Sequence, residues 1–263
     1  MKIVSVVFKE NGKEYFFSCA DEIKAKVNDK VVVDTSRGIE LAFVVNENVE
    51  NSNIPLDNLM PVVRHANNKD LKNYEDNFRK SQEGYEIFTE ILKDFPDLDM
   101  SLVSCEYNLD QSKILFMYVS DDRVDFRELL KVLATKFKKR IELKQIGARD
   151  KAKIVGGIGP CGMETCCSRY LKEFDNISIN MAKNQMLSLN PTKISGLCGR
   201  LLCCLKYENE LYSEAKELFP RLGSFVKYEK ADYKVTGLNI LTAEVKIEGE
   251  GLVKMVSKED LKW

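Results

Sequence analysis

The sequence predicts an α+β protein in which small β-barrel-like units at the N-terminus and the C-terminus flank a central α/β sandwich with a Cys-rich helical segment. Both ends of the 263-residue chain alternate apolar and polar residues, whereas residues 66–94 repeat at three and four. Six of the eight cysteines lie between residues 161 and 204. The predicted segments are 1–64, 65–150, 151–218 and 219–263.

The N-terminal unit is predicted from four short runs that resemble antiparallel strands. These runs are KIVSVVFK, KEYFFSC, DKVVVDT and ELAFVVN, and turn-forming residues such as Asn28-Asp29 and Ser36-Arg37-Gly38 separate them. The tail SFVKYEKADYKVTGLNILTAEVKIEGEGLVKMV shows the same pattern with glycine turns. Each end of the chain is therefore expected to form a curled sheet or a small barrel.

The central unit begins with a long amphipathic helix over residues 66–94. Its apolar residues recur at three, four and seven, which predicts one inward face made of Leu71, Tyr74, Phe78, Tyr85, Phe88, Ile91 and Leu92. Two strands, LVSCEYN and KILFMYVS, follow it and are joined by a turn at Asn108-Leu109-Asp110. A second helix through Phe126–Phe137, capped by Asp121 or Asp122, and the strand RIELKQIG complete the sandwich.

Charge is distributed unevenly along a chain whose net charge is −1. Residues 131–206 hold fifteen Lys/Arg and five Asp/Glu, or +10, so the remainder sums to −11. Segregation of this kind points to an acidic partner or an anionic cofactor. No apolar run approaches the ~20 residues that span a bilayer, and no secretory signal is recognised. We therefore expect a cytoplasmic protein without membrane insertion.

The cysteines form a duplicated motif, Cys-Gly-x-x-x-Cys-Cys, at a separation of 37 residues. Its members are Cys161, Cys166, Cys167, Cys198, Cys203 and Cys204. In a reducing compartment, clustered cysteines are more often metal ligands or redox groups than disulfides. A 4Fe–4S cluster takes about four thiolates, so six exceed one cluster and fall short of two. Either some of them pack in the core or a partner supplies further thiolates.

Helix geometry separates one pair of candidate ligands. Adjacent residues on a helix point ~100° apart, which favours Cys203 over Cys204 as a ligand, whereas Cys166 and Cys167 are not distinguished. The free amides of a helix over Gly199–Leu205 would stabilise the Cys198 thiolate and that of Cys203. Cys19 and Cys105 lie in strands, where plain packing is the favoured interpretation.

Three alternatives compete with an iron–sulfur site. The cysteines could hold zinc in a zinc-stapled RNA-binding module, or they could simply pack in the core. A cysteine-dependent redox enzyme is the third, but the single histidine, His65, lies at a loop-to-helix boundary and offers a weak candidate base. A basic contact face for RNA or an acidic partner is also predicted, from Arg149, Lys151, Lys153, Arg169 and Arg200.

The two stretches that contain the cysteine motifs resemble a known family. IGARDKAKIVGGIGPCGMETCC and NQMLSLNPTKISGLCGRLLCCLKYE are similar to the signature of the RicT (YaaT) family, bacterial stage 0 sporulation proteins with a polymerase-suppressor (PSP) C-terminal domain. The match is most specific from Ile146 to Tyr207 and is compatible with the whole chain.

The resemblance implies a regulatory subunit and not an enzyme. It implies assembly with RicA (YmcA)-like and RicF (YlbF)-like proteins in a complex that carries two 4Fe–4S clusters with ligands shared among subunits. It also implies an association with ribonuclease Y in mRNA processing, and effects on sporulation, competence and biofilm formation. Shared ligands agree with the thiolate count, which leaves a second cluster incomplete in this chain.

Overall fold

A computed structural model describes residues 2–9, 12–49, 59–229, 231–249 and 251–263. The chain divides into two compact units. The first comprises Met1–Gly157 with Cys167–Glu173, and the second comprises Ile158–Cys166 with Phe174–Trp263. Within the described ranges the chain is a mixed α+β protein with seven α-helices and three sheets. None of the helices in these ranges is long and apolar enough to span a bilayer.

The first sheet contains the four strands predicted near the N-terminus and one that the sequence did not reveal. Its strands are β1 (Lys2–Val7), β2 (Tyr15–Cys19), β3 (Lys30–Thr35), β4 (Gly38–Asn46) and β5 (Val62–His65). They pair antiparallel in the order β2-β1-β4-β3-β5. Ser18 on β2 bridges Pro61 just before β5, and its N–H donates to the Met60 carbonyl at 2.9 Å. The sheet therefore curls until its edge strands meet.

The long helix is confirmed as α1 (Asn68–Leu92), and its predicted inward face is confirmed in part: Phe88 is buried, and Leu71, Ile91 and Leu92 pack against buried cores. The residues of α1 that are buried are Asp70, Asn77, Gly84 and Phe88. Phe78, by contrast, is 69% exposed, and Tyr74 and Tyr85 are exposed as well. Polar and small residues face inward because the Asn77 amide donates to the Asn108 carbonyl at 2.8 Å and Gly84 lies against a cysteine of the adjoining sheet.

The central sandwich has the predicted order of two strands, a helix and a strand. It is formed by β6 (Ser101–Tyr107), β7 (Lys113–Val119), α2 (Arg127–Phe137) and β8 (Arg140–Gln145). β6 and β7 are antiparallel and β8 is parallel to β7. The buried Phe88, Phe116, Leu129 and Leu133 form its core with α1.

The predicted cap of α2 was wrong. The helix starts at Arg127, beyond the reach of Asp121 and Asp122, and Phe126 at the N-cap makes no side-chain capping bond. Instead the Asp125 carboxylate accepts a hydrogen bond from the Arg127 N–H at 3.2 Å. Helix α3 (Ala148–Val155) follows β8 and ends at Gly156.

The second unit combines short helices with a four-stranded antiparallel sheet. Its helices are α5 (Ile179–Asn184), α6 (Pro191–Ile194) and α7 (Cys203–Glu217), while the four-residue α4 (Cys166–Arg169) contains the point where the two units divide. The strands are β9 (Phe225–Tyr228), β10 (Ala231–Asn239), β11 (Glu244–Gly249) and β12 (Leu252–Ser257), in the order β12-β11-β10-β9. After β12 the chain returns to β9, where Lys227 and Lys262 exchange two backbone hydrogen bonds of 2.9 and 3.2 Å.

Candidate cysteine site

The first cysteine motif folds into a tight turn. Ile158 and Glu164 form an antiparallel bridge, which brings the two ends of the motif together. Inside the bridge the Gly159 N–H donates to the Met163 carbonyl at 2.7 Å, and the Gly162 N–H donates to the Gly159 carbonyl at 3.0 Å. The turn holds Cys161 at its tip, between the two glycines.

The second motif repeats this turn bond for bond, 37 residues later. Ser195 and Leu201 form the bridge. The Gly196 N–H donates to the Arg200 carbonyl at 2.8 Å, and the Gly199 N–H donates to the Gly196 carbonyl at 2.9 Å. The repeat is therefore one of backbone structure as well as of sequence, and we call each copy a knuckle: residues 158–164 and residues 195–201.

The structure extends the repeated motif by one position that sequence reasoning missed. Gly159 and Gly196 precede the lead cysteines by two residues in both copies, so the full pattern is Gly-x-Cys-Gly-x-x-x-Cys-Cys. A Cβ atom at these glycines would lie 3.5 Å from the Cys161 Sγ and 3.8 Å from the Cys198 Sγ. Both lead thiols thus lie against the first glycine of their knuckle.

The second glycine of each knuckle has a conformational role. Gly162 has a φ of +78° and Gly199 a φ of +73°, in the left-handed region that residues with a Cβ atom rarely adopt. No heavy atom lies within 4 Å of a Cβ added at either glycine. The requirement for glycine is therefore one of backbone conformation and not of space.

Each knuckle leads directly into a helix whose first residue is a cysteine. Cys166 begins α4 and Cys203 begins α7. The predicted helix over Gly199–Leu205 was wrong at its start, because Gly199 belongs to the knuckle. Cys203, and not Cys198, therefore lies in the first turn of α7, where unbonded amides favour a thiolate.

The six cysteines differ in exposure and in the unit to which they belong. Cys161 is exposed, whereas Cys166, Cys198, Cys203 and Cys204 are half-buried. All five belong to the second unit. The sixth, Cys167, is buried and belongs to the first unit. Burial therefore distinguishes the adjacent residues Cys166 and Cys167, which sequence reasoning left equivalent.

The two motifs lie within electrostatic range of each other. The pKa of the Cys204 thiol is raised, first by burial and then by the negative charges of Cys166, Glu208 and Cys161. A thiol after the second knuckle is thus close to two thiols of the first. The preference for Cys203 over Cys204 as a ligand stays a prediction.

The donor set can be compared with what a metal needs. Thiolates are the ligands that iron–sulfur clusters use and that zinc also accepts, so the residue types fit either group. Throughout the described ranges, no three His, Cys, Asp or Glu side chains are arranged closely enough to hold a metal ion. The cysteines therefore fit a metal or a cluster by residue type, whereas their arrangement in the described ranges does not form a coordination site.

The two remaining cysteines are packing residues, as predicted. Cys19 is 3% exposed in the core of the first sheet, and Cys105 is 7% exposed in the core of the sandwich. Burial, followed by the charge of Glu106, raises the pKa of Cys105 to about 12. His65 is exposed at the end of β5, where its ring lies against the Ile23 carbonyl and the Asp29 carboxylate.

The predicted basic face is divided between the two units. Arg149, Lys151 and Lys153 lie on α3, and Arg169 belongs to the same unit. Arg200 lies in the second knuckle. Beside α3, burial and repulsion from Lys153 lower the pKa of Lys172, a cation that sequence reasoning did not include. Four of the five predicted residues are thus in the first unit.

Comparison with known proteins places these features in a family. Residues 60–146, from β5 to the end of the sandwich, match the PSP1 C-terminal conserved region. Residues 176–219, which contain the second knuckle and α7, match the third domain of PSP1-like proteins. No solved structure matches the chain. The stage 0 sporulation protein YaaT of Bacillus subtilis (strain 168) is 46% identical over 248 residues, which cover 94% of this chain and 89% of that protein. The chain therefore belongs to the YaaT family of PSP1-domain proteins.

Proposed function

We propose that this chain is a non-catalytic regulatory subunit that ligates 4Fe–4S clusters through the cysteines in and just after its two knuckles. It acts in a complex with RicA (YmcA)-like and RicF (YlbF)-like proteins and directs ribonuclease Y-dependent mRNA processing, with effects on sporulation, competence and biofilm formation. The observation that supports the proposal most strongly is the duplicated knuckle, because two identical thiol-bearing turns provide a matched pair of ligand sources. The name of the related sporulation protein supports the regulatory role.

The repeat suggests how the ligands divide. Each knuckle provides a lead cysteine at its tip and a second cysteine at the start of the following helix. Cys161 with Cys166, and Cys198 with Cys203, therefore make two equivalent pairs, which together match the about four thiolates of one cluster. Cys167 and Cys204 remain, so a second cluster needs thiolates from a partner protein. When bound, a cluster supplies a centre whose integrity depends on redox conditions.

Two features of the chain favour the thiolate form of these cysteines. Cys203 lies in the first turn of the fifteen-residue helix α7, where free amides and the helix dipole stabilise negative charge. Lys183, Lys193, Arg200 and Lys206 belong to the second unit, like five of the six cysteines, and offset part of the negative charge of cluster and ligands. Removing these positive charges should therefore weaken cluster binding even where no ligand changes.

Anaerobic co-purification with the two partner proteins tests the proposal. The complex should be brown, absorb broadly near about 400 nm and contain iron and sulfide in equal amounts. Cys161→Ser and Cys198→Ser should each lower the iron content, whereas Cys19→Ala, at a buried cysteine outside the motif, should leave it unchanged. Colourless protein with stoichiometric zinc would overturn the proposal.

The duplicated knuckle also supports a second candidate, a zinc-stapled RNA-binding module. Tight turns that present cysteines are common in structural zinc sites, and the metal there contributes folding energy directly. In that case chelators should unfold the second unit, and the purified chain alone should contain zinc. Metal analysis distinguishes the two candidates.

A further inference from the structure

A cluster of positive charges surrounds the turn between β6 and β7 and includes none of the residues of the predicted basic face. The turn comprises residues 108–112. Three lysine ammonium groups surround it from three different elements: Lys80 from α1, Lys113 from the start of β7 and Lys139 from the α2–β8 connection. A fourth cationic residue, Arg37 of the β3–β4 hairpin, adjoins the turn through its backbone carbonyl, which accepts a hydrogen bond from Lys113. All four belong to the first unit, and we call them the turn cations.

Two of the turn cations donate hydrogen bonds to the same residue, Gln111. The Lys80 ammonium donates to the Gln111 side-chain oxygen at 2.6 Å, and the Lys139 ammonium donates to the Gln111 backbone carbonyl. On the other side of the turn, the Lys113 ammonium donates to the Arg37 carbonyl at 3.0 Å. Each lysine is thus positioned by a neutral oxygen.

The cations are not neutralised in pairs. Among the described residues, none of the four takes part in an ion pair within 4.0 Å. Glu40 interacts with Arg37, Asp110 interacts with Lys113, and Glu83 interacts with Tyr107 beside Lys139. The Asp110 carboxylate already accepts the Ser112 N–H at 2.9 Å. None of these carboxylates forms a direct ion pair with a turn cation.

Several hydrogen bonds fix the conformation of the turn. The Asn108 side chain accepts the Lys113 N–H at 2.9 Å and donates to the Ser112 hydroxyl at 3.0 Å. The Leu109 N–H donates to the Ile39 carbonyl at 3.2 Å, which ties the turn to the first sheet. Gln111 has a φ of +60°, a strained conformation that these bonds maintain. The cations are therefore positioned in advance of any ligand.

Holding like charges together costs free energy unless an anion offsets it. We infer that the turn cations bind the phosphate groups of an RNA strand. Three of the four are lysines, which contact phosphate as point charges. The Lys139 ammonium also lies 5.9 Å from the Tyr107 ring centre, so a half-buried aromatic ring adjoins the charges.

The neighbouring sequence extends the positive surface beyond the turn. Residues 131–145 contain six Lys/Arg and one Glu. Lys138 and Arg140 flank Lys139, and both are exposed. A strand of RNA has a phosphate at every nucleotide, so a row of cations can contact several phosphates in succession. This inference deepens the proposed function, since it rests on RNA as the substrate of the complex, but it does not require a bound cluster.

Fluorescence anisotropy with a labelled single-stranded RNA of about 20 nucleotides tests the inference on the full chain. The variant Lys80→Gln/Lys113→Gln/Lys139→Gln should bind at least about tenfold more weakly at low salt. Its plot of log affinity against log salt should lose about two units of slope, because each phosphate contact on a single strand contributes about 0.7.

A matched control removes three lysines from the same unit. Lys69→Gln/Lys72→Gln/Lys93→Gln takes the same charge from exposed positions on and just after α1, and it should bind RNA much as the parent does. Arg37→Gln offers a single exposed change that leaves the carbonyl bonded to Lys113 in place. It should weaken RNA binding by a few-fold, and the far-UV circular dichroism of the variant should match that of the parent.

Equal affinity and slope for the triple variant and the parent would overturn the inference. The inference would also be overturned if poly-glutamate competed for the turn cations more strongly than unlabelled RNA does. That result would identify an acidic protein as the ligand. Iron content of the complex, measured on the same variants, separates this result from the proposed function. If the triple variant loses RNA binding and the complex keeps its iron, the result supports both the proposed function and the inference about the turn cations. If the variant loses RNA binding but the complex contains zinc and no iron, the result supports the inference alone.

Discussion

A Cβ atom added at Gly84 in α1 would lie 2.9 Å from the Cys105 Sγ in β6. That distance is below the contact limit, so the helix approaches the sheet as closely as it does only because residue 84 has no side chain. The Tyr107 and Phe137 rings, at 3.6 and 3.7 Å, close the remaining space. The pair explains why a glycine occupies the middle of a 25-residue helix.

We expect Gly84→Ala to destabilise the first unit. Alanine gains about 1 kcal/mol of helix propensity over glycine, but overpacking a filled core costs about 1–3 kcal/mol. The net loss should be about 1 kcal/mol, measured as a lower urea midpoint. Gln82→Ala, on the exposed side of α1, is the control and should not lower stability.

The double variant Gly84→Ala/Cys105→Ala identifies the contact responsible. Removing the Sγ makes room for the new methyl group, so the two changes together should cost less than the sum of the single changes. Strict additivity in a double-mutant cycle would show that some other contact limits the approach of α1 to β6.

Asp70 should make the start of α1 dependent on pH. A hydrogen bond from Arg64 is the largest cause that lowers the pKa of Asp70, and the Asn67 N–H bonds to the same carboxylate at 2.8 Å. Because the folded pKa is depressed, this stabilisation is present above the unfolded value of 3.8 and is lost as pH falls through the folded pKa.

Asp70→Asn should therefore reduce the free energy of unfolding at pH 7 by about 1–2 kcal/mol, the value of a helix cap with a charged partner. The difference from the parent should shrink below pH 3.8. Asp76→Asn, at an exposed pair with Arg79, should change little at either pH. A difference that stays constant down to pH 2 would contradict the assignment.

The sequence predicted those elements whose pattern follows directly from burial. β3 is marked by the apolar run Val31–Val33, all of it buried because Val31 and Val33 pack in one core and Val32 in another. The two strands, the helix and the strand of the sandwich appear in the predicted order because their apolar residues repeat with the period of each element. β5 was missed because only Val62 of its four residues is buried, so no alternation marks it.

Other features depend on tertiary partners that no periodicity reveals. The inward face of α1 was predicted only in part, because Asn77 and Gly84 also face inward, and only the Asn108 carbonyl and the Cys105 thiol explain their positions. The duplicated cysteines were visible in the sequence. The common backbone turn, the start of α7 at Cys203 and the burial of Cys167 were not, because hydrogen bonding and helix onset are local choices that a spacing of cysteines leaves open.

Cys105 should be inert to alkylation in the folded protein. Its pKa is raised to about 12, so the thiol stays protonated at pH 8, and it is 7% exposed. Iodoacetamide followed by peptide mass spectrometry should label the exposed Cys161 of metal-free protein and leave Cys105 unmodified until urea is added. Rapid labelling of Cys105 without denaturant would contradict the packing of the sandwich.

The same thiol predicts a loss of stability at high pH. A folded pKa raised from 9.0 to about 12 contributes stability below pH 9.0, and that contribution disappears as pH rises towards 12. Burial also raises the pKa of Tyr107 to about 12, so this hydroxyl contributes to the same loss of stability at high pH. Cys105→Ala should therefore flatten the alkaline part of the stability profile, as followed by urea unfolding between pH 8 and pH 11, about 1–4 units below the folded pKa.

The second glycine of each knuckle should tolerate a side chain less well than the first. Gly199→Ala forces a left-handed alanine, at about 1–2 kcal/mol, although a Cβ there meets no atom within 4 Å. Gly196→Ala meets only ordinary contacts of 3.7 Å or more and should be almost neutral. Gly199→Asn should lie between them, because asparagine adopts this conformation more readily.

Thermal unfolding of the metal-free chain measures this order of stability, and the metal content of the complex should fall in the same order. A larger loss for Gly196→Ala than for Gly199→Ala would show that space around the lead thiol, and not backbone conformation, governs the knuckle.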